Sequence, residues 1–200
     1  MTITLDKLNQ ASQAPSQKMT LEEFFNYEDD TDFLYEFEDG ELIQMTSESE
    51  INRRIAMFIL AYFLQLGIPS YRLSMKTEIV TTGSRVRVPD LVLFSEELAT
   101  AMEGAKRSTV MPEMPPPLLV VEIVSPTQRQ SNRDYRHKRS EYGARGITEY
   151  WIVDATAQKI TVLEWVEGFY EEQIYIGEQA IASPALGNLG ITATQVLEGN

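Results

Sequence analysis

Two carboxylates stand in this sequence where strands should be apolar. In Arg85–Phe94 every second residue of an extended chain shares one face, and along Val86, Val88, Asp90, Val92 and Phe94 only Asp90 is polar. Along Leu118, Val120, Glu122 and Val124 only Glu122 breaks the same pattern. An ionised carboxylate on a core face costs several kcal/mol unless something neutralises it. Two such acids on strands that could be neighbours predict a shared cation. A donor set made of oxygen alone favours Mg²⁺ or Mn²⁺. The competing reading is that each acid lies where its strand emerges and meets solvent or an arginine. Pro89 fits a bulge or free edge that would aim Asp90 outward.

Basic residues gather directly after the strand that carries Glu122. Arg129, Arg133, Arg136, Lys138, Arg139 and Arg145 are six of the chain's 17 basic residues, with Asp134 and Glu141 as the acids among them. Taken alone this is a solvated helix face with an Asp134–Lys138 pair at i,i+4. Tyr135, Lys138 and Tyr142 share one stripe, however, and packing of the tyrosines would lean Lys138 toward the sheet. Glu41, just past a turn, reads by itself as a surface strand residue.

Composition limits the chemistry further. The chain has 200 residues and 22.7 kDa, with 43% hydrophobic and 24% charged residues, which suits one folded domain. Thirty acids against 17 bases give a net charge of -13, which argues against a protein that coats nucleic acid through bulk positive charge. Absence of cysteine excludes disulfides, zinc–thiolate sites and a thiol nucleophile, and the lone His137 excludes a site with several histidine ligands. The longest apolar stretch, Ile55–Leu66, is too short for a membrane helix of about 20 residues. With no signal peptide in residues 1–20, a soluble, cytoplasmic protein is expected.

The elements that must position these groups follow from periodicity and punctuation. Residues 1–19 read as a flexible leader and 20–200 as a single domain. Thr20 caps a short helix at Leu21–Phe25. Asp39-Gly40 joins Tyr35–Glu38 to Glu41–Met45 as a hairpin. Residues 48–66 are helical, with Ile51, Ile55, Phe58, Ile59, Tyr62, Phe63 and Leu66 on the core side. Strands are predicted at Tyr71–Thr81 and Arg85–Phe94, then a short helix and a proline-rich loop. Leu118–Val124 reads as a central strand covered on both faces. A helix from Ser131 or Asn132 to Arg145, a strand at Tyr150–Val153 and a hairpin at Lys159–Trp165 and Phe169–Ile176 complete the legible part. From Gly177 the pattern is weak. The fold class is α/β, a mixed sheet with helices on its faces.

Val88-Pro89-Asp90-Leu91-Val92, then Glu122 within Pro117–Pro126, then the basic helix, resemble the PD-(D/E)xK nuclease signature. Together with Tyr35–Leu42, Arg133-Asp134-Tyr135 through Lys138 to Tyr142, and Gly146–Asp154, they resemble the Uma-type family of restriction-endonuclease-like proteins over roughly residues 20 to 195. The resemblance implies a restriction-endonuclease-like αβββαβ core, an extra hairpin and a homodimer. It also implies a phosphodiesterase site using Mg²⁺ or Mn²⁺. Asp90, Glu122 and the backbone carbonyl of Ile123 would be the metal ligands. Lys138 would stand in for the signature lysine, whose usual place two residues after Glu122 holds Val124. Glu41 would match an extra acid near the metal. Asn52 stands where relatives commonly carry a histidine. Arg133, Arg136 and Arg139 could grip the backbone of DNA. The expected function is a metal-dependent DNA endonuclease. The alternative is a catalytically inactive module for dimerisation or partner binding. A glycosidase built on paired carboxylates lacks an aromatic platform beside Asp90 or Glu122.

Overall fold

The computed structural model describes residues 18–28, 33–45, 48–124 and 131–200, with only the backbone of 131–135. The expected leader, apart from residues 18 and 19, lies outside them. The chain runs α1 (Leu21–Phe25), β1 (Tyr35–Glu38), β2 (Glu41–Gln44), α2 (Glu50–Gln65), a 3-10 turn (Ser70–Arg72), β3 (Leu73–Ser74), β4 (Glu78–Thr82), β5 (Arg85–Arg87) and β6 (Leu91–Leu93). There follow α3 (Glu96–Ala101), β7 (Thr109–Val110), β8 (Leu119–Ile123), α4 (Ser131–Ala144), β9 (Glu149–Asp154), β10 (Lys159–Val166), β11 (Phe169–Tyr175), β12 (Ala180–Ser183), β13 (Gly187–Thr192) and α5 (Ala193–Glu198).

Local chemistry explains the boundaries. The Thr20 side chain accepts from the Glu23 N–H while Glu23 reaches back to the Thr20 N–H, a reciprocal cap for α1. Ser49 caps α2 through the Asn52 N–H. The Asp39-Gly40 turn has φ of 51° and 95°, the conformation that a two-residue hairpin demands and that glycine adopts without strain.

The strands form two main sheets. The smaller has the order β2-β1-β5-β4-β7 and the larger β11-β10-β9-β8-β6-β3, while β12 and β13 pair separately. Strand β8 is central: it pairs antiparallel with β6 and parallel with β9, and all five of its residues are buried. Leu119, Val121 and Ile123 pack with Ile55, Ile59 and Phe63 of α2, while Val120 packs with Tyr142 of α4. Residue parity therefore turns Glu122 toward α4. The succession α2, three extended passages (β3–β4, β5–β6 and β8), α4 and β9 is the expected αβββαβ core, with β10–β11 as the extra hairpin.

Two predicted strands are corrected. Arg85–Phe94 is two strands in two sheets, because Pro89 has no N–H for a ladder and the chain leaves one sheet for the other at Val88–Asp90. Tyr71–Thr81 likewise divides, with Lys76 at φ 65° between β3 and β4. The weakly patterned tail is also structured. Ile181, Leu189, Ile191, Val196 and Leu197 complete the core against α2.

Helix α4 lies close against the β10–β11 hairpin. A Cβ built on Gly143 would overlap the Trp165 ring. Gly143→Ala should therefore destabilise the protein by about 2 kcal/mol despite its better helix propensity, read as a lower urea midpoint. A gain in stability would show that the ring yields freely. Among the described residues no helix is long and apolar enough to cross a membrane.

Candidate active site

The antiparallel register sets Leu91 opposite Val121, so Asp90, one residue before β6, falls opposite Glu122. The Ile123 N–H donates to Asp90 Oδ2 at 2.6 Å, which fastens the acid to the edge of the central strand. On α4, Lys138 and Tyr142 are four residues apart and therefore on one face. Both reach Glu122 Oε1: Lys138 Nζ at 2.8 Å and the Tyr142 hydroxyl at 2.6 Å. Lys138 Nζ also lies 3.0 Å from Glu36 Oε1 of β1. The helix thus delivers an ammonium group between two carboxylates from different sheets.

A second layer holds Glu36. Arg87 Nη1 donates to Glu36 Oε2 at 3.0 Å and to Glu38 Oε2 at 3.2 Å, and the Val88 N–H donates to Glu36 Oε1. The Arg87 guanidinium is also bidentate to Glu141, Nε at 2.7 Å and Nη2 at 2.9 Å. Arg85 bridges Glu141 Oε1 and Asp39 Oδ2, each at 2.6 Å. Six carboxylates thereby surround three cations, so the cluster is short of positive charge at the end nearest Asp90 and Glu122.

The proton affinities report this shortage. Burial, then the charge of Glu122, push the Asp90 carboxyl up to about 7, against the opposing pull of the Ile123 N–H and Lys138. Burial also raises Glu122, although Lys138 counteracts it. Burial opposes ionisation of Glu36 as well, but Lys138 and Arg87 outweigh it and its pKa falls. For Lys138 burial is outweighed by Glu122 and Glu36, and the ammonium form is retained. Because the folded pKa of Asp90 is raised, the fold favours the protonated acid and loses stability as pH rises from about 4 to about 7. Asp90→Asn, which copies the protonated form, should gain on the order of 2–4 kcal/mol at pH 8 and little at pH 4, by thermal denaturation. An equal change at both pH values would exclude an ionised, undercompensated Asp90.

These groups fit a hard divalent cation. Asp90 and Glu122 each spend one oxygen on the bonds above, and among the described residues Oδ1 of Asp90 and Oε2 of Glu122 accept none. The Ile123 carbonyl stands next to them and accepts from the buried Asn52 Nδ2 at 3.4 Å, as does the Val124 carbonyl. Among the described residues no three acid or histidine side chains converge on one point. A cation here would draw its remaining ligands from the carbonyl and water.

The structure brings Asp90, Glu122, the Ile123 peptide and Lys138 together. It leaves Glu41 on the exposed edge strand β2, opposite Glu38 and outside the cluster. The third acid is Glu36, which the sequence reading passed over. Its signal was the alternation Glu36-Phe37-Glu38 facing Arg85-Val86-Arg87, with Phe37 and Val86 buried together. Arg139 does not point to a ligand: it binds Glu172 at 2.8 Å and the Tyr170 carbonyl. Arg136 is exposed, and the Arg133 side chain lies outside the described residues, as does Asp134.

Neighbouring strands present Asp90 and Glu122, the crossing helix brings Lys138 to Glu122, and the mixed α/β architecture around them is of the restriction-endonuclease-like class. The chain belongs to the Uma2 family, described as "Putative restriction endonuclease", whose family model matches residues 21–194. It is similar to the crystal structure of "a putative nuclease belonging to DUF820 from Anabaena variabilis ATCC 29413", with a TM-score of 0.72 and 16% identity over 90% of this chain and 98% of that one. At that identity the likeness concerns the fold. No curated protein matches this chain.

Proposed function

We propose that this protein is a divalent-cation-dependent nuclease that hydrolyses phosphodiester bonds of DNA, acting as a homodimer. The observation that carries the proposal is the convergence of Asp90, Glu122 and Lys138 in a cluster whose negative charge exceeds its positive charge. Asp90, Glu122 and the Ile123 carbonyl would hold Mg²⁺ or Mn²⁺. When bound, the cation supplies Lewis acidity and charge neutralisation at the scissile phosphate. Lys138 stands beside this position as a fixed positive charge for the phosphate oxygens that gain charge in the transition state. Tyr142 and Lys138 together hold one oxygen of Glu122, and its other oxygen would be the one to hold the cation. Asn52 braces the Ile123 carbonyl. Arg136 supplies a solvent-facing charge for the nucleic-acid backbone. At a net charge of -13, binding draws on such local charges, and its salt dependence scales with the number of phosphates they contact.

Supercoiled plasmid incubated with the protein and Mg²⁺ or Mn²⁺ should be nicked, and Asp90→Ala should be at least 100-fold slower, a loss on the scale of removing a main electrostatic contributor. Equal nicking by both proteins would assign the activity to a contaminant. Asn52 favours a second reading, a binding module without catalysis. Its buried amide holds carbonyls and cannot shuttle a proton at neutral pH. Calorimetry separates the two readings, because the nuclease must take up Mn²⁺ and the module need not.

A further inference from the structure

We propose that Glu36 is the positioning residue for the Lys138 ammonium. Its catalytic consequence rests on the nuclease reading. A lysine on a helix reaches its target through four rotatable carbons and has many rotamers to lose. One partner, Glu122, fixes the direction of the ammonium poorly. Glu36 adds a second, at 3.0 Å against 2.8 Å for Glu122, from the opposite sheet. The lysine side chain is only 14% exposed at this point, so the two carboxylates meet little competition from water.

Glu36 is itself immobilised. Arg87 and the Val88 N–H hold it, and Arg87 is gripped by Glu141, three residues after Lys138 on the same helix. The contacts close a ring: from Lys138 to Glu36, to Arg87, to Glu141 and back along α4. Such a ring sets the rotation of the helix about its own axis as well as the tip of the lysine. Among the described residues Glu36 forms no metal-holding group with Asp90 and Glu122, and both of its oxygens are engaged by Lys138, Arg87 and the Val88 N–H, so its role is to hold Lys138 in place. It leaves the ammonium shared, rather than collapsed onto Glu122, and so leaves Glu122 able to accept a second positive partner.

The test uses the full chain labelled with ¹⁵N at lysine. Of the six lysines, Lys138 alone among those described has two carboxylate partners, and its ammonium cross-peak is assigned by its loss in Lys138→Met. In Glu36→Gln that cross-peak should broaden or disappear while the backbone amide fingerprint is kept. Glu36→Asp should shift it and retain part of its intensity. Plasmid nicking with Mg²⁺ supplies the second measurement. Glu36→Gln should lower kcat 10- to 100-fold with KM changed less than about threefold. The double variant Glu36→Gln/Lys138→Met should be no slower than Lys138→Met within about twofold, because the first residue acts through the second. An ammonium signal unchanged in both Glu36 variants, or losses that multiply in the double variant, would overturn the proposal. If Glu36→Gln does not fold, the Glu36→Asp spectrum decides. If the wild type nicks with neither Mg²⁺ nor Mn²⁺, the nuclease reading fails while the ammonium spectrum still decides the role of Glu36.

Discussion

Arg87→Met should lower the melting temperature by about 10 °C at pH 7. Arg87 is 3% exposed, and its guanidinium touches Glu36, Glu38 and Glu141 within 3.2 Å. Taking away one member of a buried ionic cluster strands the others, which costs about 3–5 kcal/mol. For a domain of this size each kcal/mol corresponds to about 2–4 °C. The pH dependence has a definite sign. Against the cost of burial, Arg87 holds the Glu141 carboxyl down at about 2, below its ordinary value, so its contribution is present above about pH 4.5 and is lost as pH falls toward 2. The gap between variant and wild type should therefore narrow in acid. A melting temperature within 3 °C of wild type at pH 7 would mean that water replaces the guanidinium.

The second large effect belongs to Lys138→Met. Nicking should fall about 10²- to 10³-fold, the usual scale for removing one preorganised charge from a developing anion. The same variant should bind Mn²⁺ at least as tightly as wild type in calorimetry, because the ammonium no longer occupies Glu122 Oε1. Its stability should drop more at pH 9 than at pH 5, since Glu36 and Glu122 lose their shared counter-charge and are then costly to ionise. Loss of Mn²⁺ binding together with activity would show that the lysine serves only to assemble the pocket.

How much of this was legible depended on whether a signal was local. Glu122 was legible because β8 is regular, central and apolar on both faces, so one acid broke a clean alternation. Asp90 was singled out from a strand that does not exist as drawn. Pro89 divides it, and Asp90 falls in the link just before β6, whose three residues are all buried. Lys138 was placed by the stripe it shares with Tyr142. Glu41 entered through the resemblance alone, and Glu36 was passed over because a hairpin looks the same from sequence whichever face is buried. Choosing between its two faces needs the partner β5, whose Arg85 and Arg87 carry the complementary charge. The C-terminal strands stayed hidden for another reason. Gly187 and Gly190 interrupt β13, and its core residues Leu189 and Ile191 gain meaning only against α2.

That last contact orders events during synthesis. Ile55, Ile59 and Phe63 of α2, which pack on β8, have that cluster completed by Ile181, Leu189, Ile191, Val196 and Leu197, and Arg54 donates to the Glu198 carbonyl at 2.8 Å. A ribosome adds about 5–20 residues per second. Helix α2, which ends at Gln65, therefore waits on the order of ten seconds for the segment near Leu197 that completes its cover. A variant that lacks the segment from Ala180 onward should therefore expose this face and be cleaved by protease faster than the full chain.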